Sequence, residues 1–128
     1  MPTAITHDVK VKVDTDYIPQ QSNPLLSEFF FAYHISIENQ GEHTIQLLRR
    51  QWFIFDALQP RRMVEGEGVV GLKPIIPSGK KHNYSSGCLI NGQFGRMSGN
   101  YLFVRLVDDY QFYVEIPAFD FIYPVRLN

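Results

Sequence analysis

From Asp8 to Ile18 the chain alternates, with Val9, Val11 and Val13 on one side and Lys10, Lys12 and Asp14 on the other. A period of two predicts a strand with one wet face. Glu28 to Glu38 repeats the pattern. Phe29, Phe31, Tyr33, Ile35 and Ile37 form one face; Phe30, Ala32, His34, Ser36 and Glu38 form the other, which turns from apolar to polar along its length. Pro19 to Pro24 between them has the composition of a loop. Asn39 to Glu42 reads as a tight turn with Gly41 free to take positive φ, and Ile45 to Asp56 as a third strand that returns to form a hairpin with the second. The apolar phase slips inside that third strand. Ile45 and Leu47 are odd, Trp52 and Ile54 even, which is what a β-bulge produces.

Further on, Ala57 to Arg62 reads as a polar turn around Pro60, and Met63 to Val70 as a short glycine-rich strand. Leu72 to Gly79 holds two prolines and is excluded from a helix. Lys80 to Ser86 reads as a polar or edge strand and Leu89 to Gly99 as a glycine-rich loop. Tyr101–Leu106 and Tyr110–Ile116 pair through Val107-Asp108-Asp109. Pro117 is expected to end the last strand, with Phe119, Phe121 and Tyr123 on an extended apolar tail. No stretch has the i, i+3, i+4, i+7 spacing of an amphipathic helix. The expected fold is all-β, a two-sheet β-sandwich occupying residues 1–128 as one domain.

Composition narrows the function classes. Aromatic residues make up 14%, with ten Phe and seven Tyr, and because both phases of several strands are apolar some are expected at the surface. A formal net charge of −1 argues against a general nucleic-acid binder, which neutralises phosphates with a basic surface. No apolar run approaches a membrane span and no signal peptide is visible, so no membrane partner is expected. Cys88 is the one cysteine, which fits a reducing cytoplasm.

Gly66, Gly68 and Gly71 form a G-x-G-x-x-G run. In dinucleotide-binding units that motif opens a helix whose amides face pyrophosphate; here Pro74 and Pro77 forbid the helix. The glycines are expected to serve bulges and positive φ, with an amide nest for an anion as the functional alternative. Arg50 and Arg62 are the cations that could join such a nest. His7, His34, His43 and His82 show no metal-ligand spacing, and His34 reads as a sheet histidine with its polar atoms satisfied. Asp14 and Asp16 share a strand face but make a weak cation site alone, Asp108 and Asp109 are turn residues, and Cys88 reads as small and buried rather than nucleophilic. No base–nucleophile pair, metal cluster or cofactor motif is expected, so a binding module is favoured over an enzyme.

A series of short motifs carries a resemblance. Arg50-Gln51-Trp52-Phe53-Ile54-Phe55-Asp56, Gly66 to Gly71, Pro74-Ile75-Ile76-Pro77-Ser78-Gly79, Tyr84 to Cys88, Met97-Ser98-Gly99-Asn100-Tyr101 and Val114 to Phe119 resemble the ApaG family in order and spacing. Leu89-Ile90-Asn91-Gly92 departs from the Pro- and Thr-rich loop common in that family. The resemblance implies a sandwich similar to fibronectin type III and immunoglobulin domains. It also implies a small stand-alone bacterial protein, often encoded beside a diadenosine tetraphosphate hydrolase and linked in some cases to cobalt and magnesium tolerance. Related domains in eukaryotic F-box proteins and a polymerase delta-interacting protein imply a protein partner. The expected function is thus non-catalytic binding of a protein, with homodimerisation through an edge strand as one form. The alternatives are nucleotide or dinucleoside polyphosphate binding through Gly66 to Gly71, and a part in divalent cation homeostasis.

Overall fold

In the computed structural model, which describes residues 1–124, nine strands follow one another: β1 Thr3–Thr6, β2 Val9–Tyr17, β3 Phe29–Asn39, β4 Ile45–Asp56, β5 Gln59–Glu67, β6 Ile75–Ile76, β7 Lys81–Ile90, β8 Phe94–Arg105 and β9 Tyr110–Ile122. Two single-turn 3-10 segments, Pro19–Gln21 and Pro24–Leu26, lie in the loop between β2 and β3. The strands make two antiparallel sheets, ordered β1-β2-β3-β7 and β5-β4-β8-β9, with the short β6 also paired to β4. No helix among the described residues is long and apolar enough to cross a membrane. The all-β, two-sheet expectation is what the chain adopts.

Alternation places the core. Val9, Val11 and Val13, then Phe29, Phe31, Tyr33, Ile35 and Ile37, point from the first sheet into the interior, where they meet Leu47, Trp52, Ile54, Tyr101, Phe103, Val114, Phe119 and Phe121 from the second. Phe31 stacks on Phe121 at 4.8 Å between ring centroids, and Trp52 meets Phe119 edge-on at 5.7 Å. Such pairs add about 0.5–1.5 kcal/mol each to what burial alone provides.

The structure corrects five readings. The strands Phe29–Asn39 and Ile45–Asp56 do not form a hairpin: β3 pairs with β2 and β7, and residues 40–44 carry the chain across to the other sheet. Buried Asn39 organises that crossing, donating from Nδ2 to the carbonyls of His43 and Ile76 and accepting the Gly41 amide at Oδ1. Gly41 itself is not among the positive-φ residues. Gln59–Arg62 belongs to β5 rather than to a turn, and most of the segment expected as a Leu89–Gly99 loop is strand. Pro117 does not end β9, because Met97 pairs with Phe119 and Gly99 with Ile116, so Pro117 and Ala118 share a bulge opposite Ser98. The slip within β4 lies where expected, between Leu47 and Arg49. The first hairpin had no expectation attached. His7 (φ 48) and Asp8 (φ 61) make its turn, both left-handed as a type I′ turn requires.

Candidate functional site

Beyond the bulge at Leu48, β4 turns Trp52, Ile54 and Asp56 inward, so Phe53 and Phe55 face out. Met63 of β5 and Ser98 of β8 stand opposite Phe53 on either side, and Arg96 stands opposite Phe55. Phe94 meets Phe55 edge-on at 6.0 Å, and the Arg61 guanidinium lies over the Phe55 ring at 5.7 Å. A hollow of about 640 Å³ covers these side chains on the outer face of the second sheet. Phe53 is 47% exposed, Met63 52% and Phe94 37%, a continuous apolar surface rather than scattered residues. One end is closed by a polar row, in which Gln51 donates to Glu65 at 2.8 Å and accepts from Asn100 at 3.1 Å.

The charges around the hollow differ in freedom. Arg96 is tied to Asp120 by a 2.7 Å bond from Nε. Arg61 has no carboxylate partner among the described residues and lies over the Phe55 ring. Beside the hollow, Asp56 is buried at the end of β4. Its carboxylate accepts from the amides of Leu58, Asn91 and Gly92, which locks the β4–β5 turn to the β7–β8 turn. Along its far margin β5 is an edge strand whose outer backbone groups meet no other strand among the described residues.

The glycine run lies elsewhere on the same edge, and each glycine has a structural reason. The Arg50 guanidinium fills the space a Gly66 side chain would occupy, 2.7 Å from the position of its Cβ. From there Nη1 donates to the carbonyls of Glu67 and Gly68, both at 3.0 Å. Gly68 has φ 63, and a Cβ there would collide with the Leu72 carbonyl oxygen; Gly71 has φ 76 in open space. The amide of Gly68 donates to the bulge carbonyl of Leu48 and that of Val69 to Leu72, each at 2.8 Å. Arg50 thus meets carbonyls, not a nest of free amides. Arg62 pairs with Ile54, four residues along β4 from Arg50, and a strand rises about 3.3 Å per residue, so the two are roughly 13 Å apart. Arg62 reaches the other sheet, donating to the Leu89 carbonyl at 3.3 Å and lying 3.7 Å from Cys88 Sγ. Burial pushes the Cys88 thiol up, with Arg62 opposing, in keeping with a packed cysteine.

The histidines separate by environment. His34 has both ring nitrogens bonded, to Asp16 and to Ser85. His82 has a buried Nε2 with no partner among the described residues, and burial lowers its pKa. Between the sheets the hydroxyls of Tyr84 and Tyr101 bond to each other, and burial drives both well above the usual phenol range. Among the described residues no group of three or more His, Cys, Asp or Glu could hold a metal ion. The sequence reading put Phe94, Arg96 and Ser98 in a loop. Their alternation with Gly95, Met97 and Gly99 was the available signal.

Comparison with known proteins covers nearly the whole chain. The family model of the ApaG domain matches residues 19–105. The ApaG protein of Pseudomonas aeruginosa is 43% identical over 122 residues, 95% of this chain and 96% of that protein. The ApaG protein of Vibrio vulnificus is 40% identical over 120 residues, 94% of each. A crystal structure of an ApaA protein from Bordetella pertussis superimposes with a TM-score of 0.87 at 35% identity, covering 96% of both chains. A second X-ray structure, a structural-genomics target, gives 0.86 at 37% identity over 97% of this chain and 93% of the other.

Proposed function

The chain belongs to the ApaG domain family, and from that premise we propose that it is a binding module whose outer β4–β5–β8 face receives an extended segment of a partner protein. The observation that carries this reading is the exposed surface of Phe53, Met63 and Phe94 around half-buried Phe55, beside the free β5 edge. Strand addition to β5 supplies main-chain hydrogen bonds, and alternate apolar side chains of the segment enter the hollow. Aromatic residues with arginine are the usual anchors of such interfaces. Arg61 favours acidic residues in the segment, since it lies over the Phe55 ring with no carboxylate partner among the described residues. The fibronectin type III reading and a cytoplasmic location belong to the same proposal. Opposed sheets centred on β3 and on β4–β8 support the first, and the buried single thiol Cys88 the second.

The test is fluorescence polarisation with a labelled synthetic peptide that alternates Glu with Val and Phe over the length of β5. Saturable binding that vanishes in Phe53→Glu, and falls about tenfold or more in Arg61→Glu, is expected, with thermal melts showing both variants folded. Unchanged affinity in folded Phe53→Glu, or no binding of the peptide, overturns the reading. Nucleotide or dinucleoside polyphosphate binding at Gly66 to Gly71 has less support, because the Gly68 and Val69 amides are already bonded. Saturable heat on titrating ATP or a dinucleoside polyphosphate, with and without magnesium, would reinstate it. A direct role in divalent cation handling has no ligand cluster behind it among the described residues.

A further inference from the structure

On the opposite side of the sandwich, three neighbouring strands bring a carboxylate, an imidazole and a hydroxyl into line. His34 of β3 pairs directly with Ser85 of β7, and Asp16 of β2 lies one diagonal step away, two residues beyond Asp14, the partner of His34. Because Tyr33, Ile35 and Tyr84 turn inward, alternation sends Asp16, His34 and Ser85 to the outer face. Asp16 Oδ2 lies 3.0 Å from His34 Nε2, and Ser85 Oγ lies 2.6 Å from His34 Nδ1.

The proton positions follow from which groups can donate. An ionised carboxylate only accepts, so the bond to Asp16 needs a proton on Nε2. A neutral imidazole with its proton on Nε2 has a lone pair on Nδ1. The hydrogen in the short contact with Ser85 is then the hydroxyl's own, and Ser85 donates it to His34. That is a nucleophile aimed at a base, with the base oriented by a third group. The ring nitrogens are used in the opposite sense to that of the serine proteases, but the roles are recognised by geometry. Stability gives little reason for the alignment, since the His34 and Asp16 side chains are 44% and 62% exposed and ion pairs so placed contribute between nothing and about 1 kcal/mol.

A groove of about 340 Å³ runs over His34 and Ser85. The next cross-strand row, Lys12–Ser36–Asn83, lines the same groove and offers an ammonium, a hydroxyl and a carboxamide as donors for negative charge on a substrate oxygen. The volume suits a short acyl ester.

We propose that Asp16, His34 and Ser85 form a nucleophilic site that takes the acyl group of a small activated ester and hydrolyses it. Ser85 Oγ bonds to the acyl carbon while its proton passes to His34 Nδ1, and Asp16 stabilises the imidazolium. The adduct collapses by breaking the carbon–oxygen bond to the leaving alcohol, which takes the proton from His34. Water, deprotonated by His34 in the same way, then attacks the acyl-serine. The carboxylic acid leaves, and Ser85 recovers its hydrogen. The balance needs only the ester and water. This site is independent of the Phe53 face and does not rest on the function proposed there.

Two probes test it, a fluorophosphonate with the adduct located by tandem mass spectrometry, and p-nitrophenyl acetate hydrolysis followed by absorbance. A single adduct on Ser85, absent in Ser85→Ala, is expected. Labelling and hydrolysis should slow about 100-fold or more in His34→Ala, and to a smaller extent in Asp16→Asn. His34→Gln serves as a second variant should the alanine variant lose its fold. No adduct on Ser85 at millimolar probe, labelling that is equally fast without His34, or ester hydrolysis that survives in Ser85→Ala overturns the proposal.

Discussion

Gly68 and Gly71 share positive φ but not surroundings, and that difference makes their roles measurable. At Gly71 a side chain would meet open space, so Gly71→Ala costs only the left-handed backbone, about 1–2 kcal/mol. At Gly68 the same backbone cost is joined by a collision with the Leu72 carbonyl, the acceptor of the Val69 amide. Moving that carbonyl loses a hydrogen bond as well, so Gly68→Ala should cost about 3 kcal/mol. Urea melts of the two variants should therefore rank Gly68→Ala well below Gly71→Ala. Equal losses would mean that the Leu72 contact relaxes freely. The spacing of this motif was plain in the sequence, and the prolines after it already excluded a helix. What could not be read is that Arg50 comes in under Gly66 to hold two carbonyls of the segment, because a guanidinium fits a phosphate and a carbonyl pair equally well by residue type.

Strands were legible wherever period two held, but their partners only in part: the hairpin of Tyr101–Leu106 with Tyr110–Ile116 was read correctly, and that of β3 with β4 was not. The expected hairpin of β3 with β4 shows why: a short polar connection says that the chain reverses, but not whether it returns to its own sheet or crosses to the facing one. The phase slip in β4 was read correctly as a bulge, and the same rule applied to β9 would have carried that strand through Pro117. Phe112, Val114 and Ile116 are buried at even positions, and Phe119 and Phe121 at odd ones. The constellation of Asp16, His34 and Ser85 was invisible for the same reason as the pairing, since it exists only once the β2–β3–β7 register is known. The β1–β2 hairpin allows a direct check of turn chemistry. Asp8 sits at φ 61 in a type I′ turn, where glycine is preferred, and its side chain makes no hydrogen bond among those of the described residues. Asp8→Gly should raise stability by about 0.5–1 kcal/mol, the relief of strain being partly offset by a more flexible unfolded chain. A lower melting temperature would show that the Asp8 side chain holds the turn.

The whole molecule turns two chemically different faces outward, because each sheet buries one side in a shared core and leaves the other to solvent. The second sheet presents aromatic rings and arginines, and the first presents a polar row of Asp16, His34 and Ser85. Packed sheets are about 10 Å apart, so the two outer surfaces lie beyond the distance at which substitutions usually couple. The two sites should therefore fail separately. Phe53→Glu should abolish peptide binding and leave the rate of Ser85 labelling within about twofold of the parent, while His34→Ala should do the reverse. The double variant should show both losses and nothing more. Ionic strength separates the faces again: peptide capture that depends on Arg61 should weaken with added salt, whereas proton transfer between groups already in contact should not. If Phe53→Glu slowed labelling while the fold melted normally, the sandwich would be transmitting strain between its sheets. The core stack of Phe31 on Phe121 and the edge contact of Trp52 with Phe119 would then be the first places to look, since they join the inner sides of the two faces.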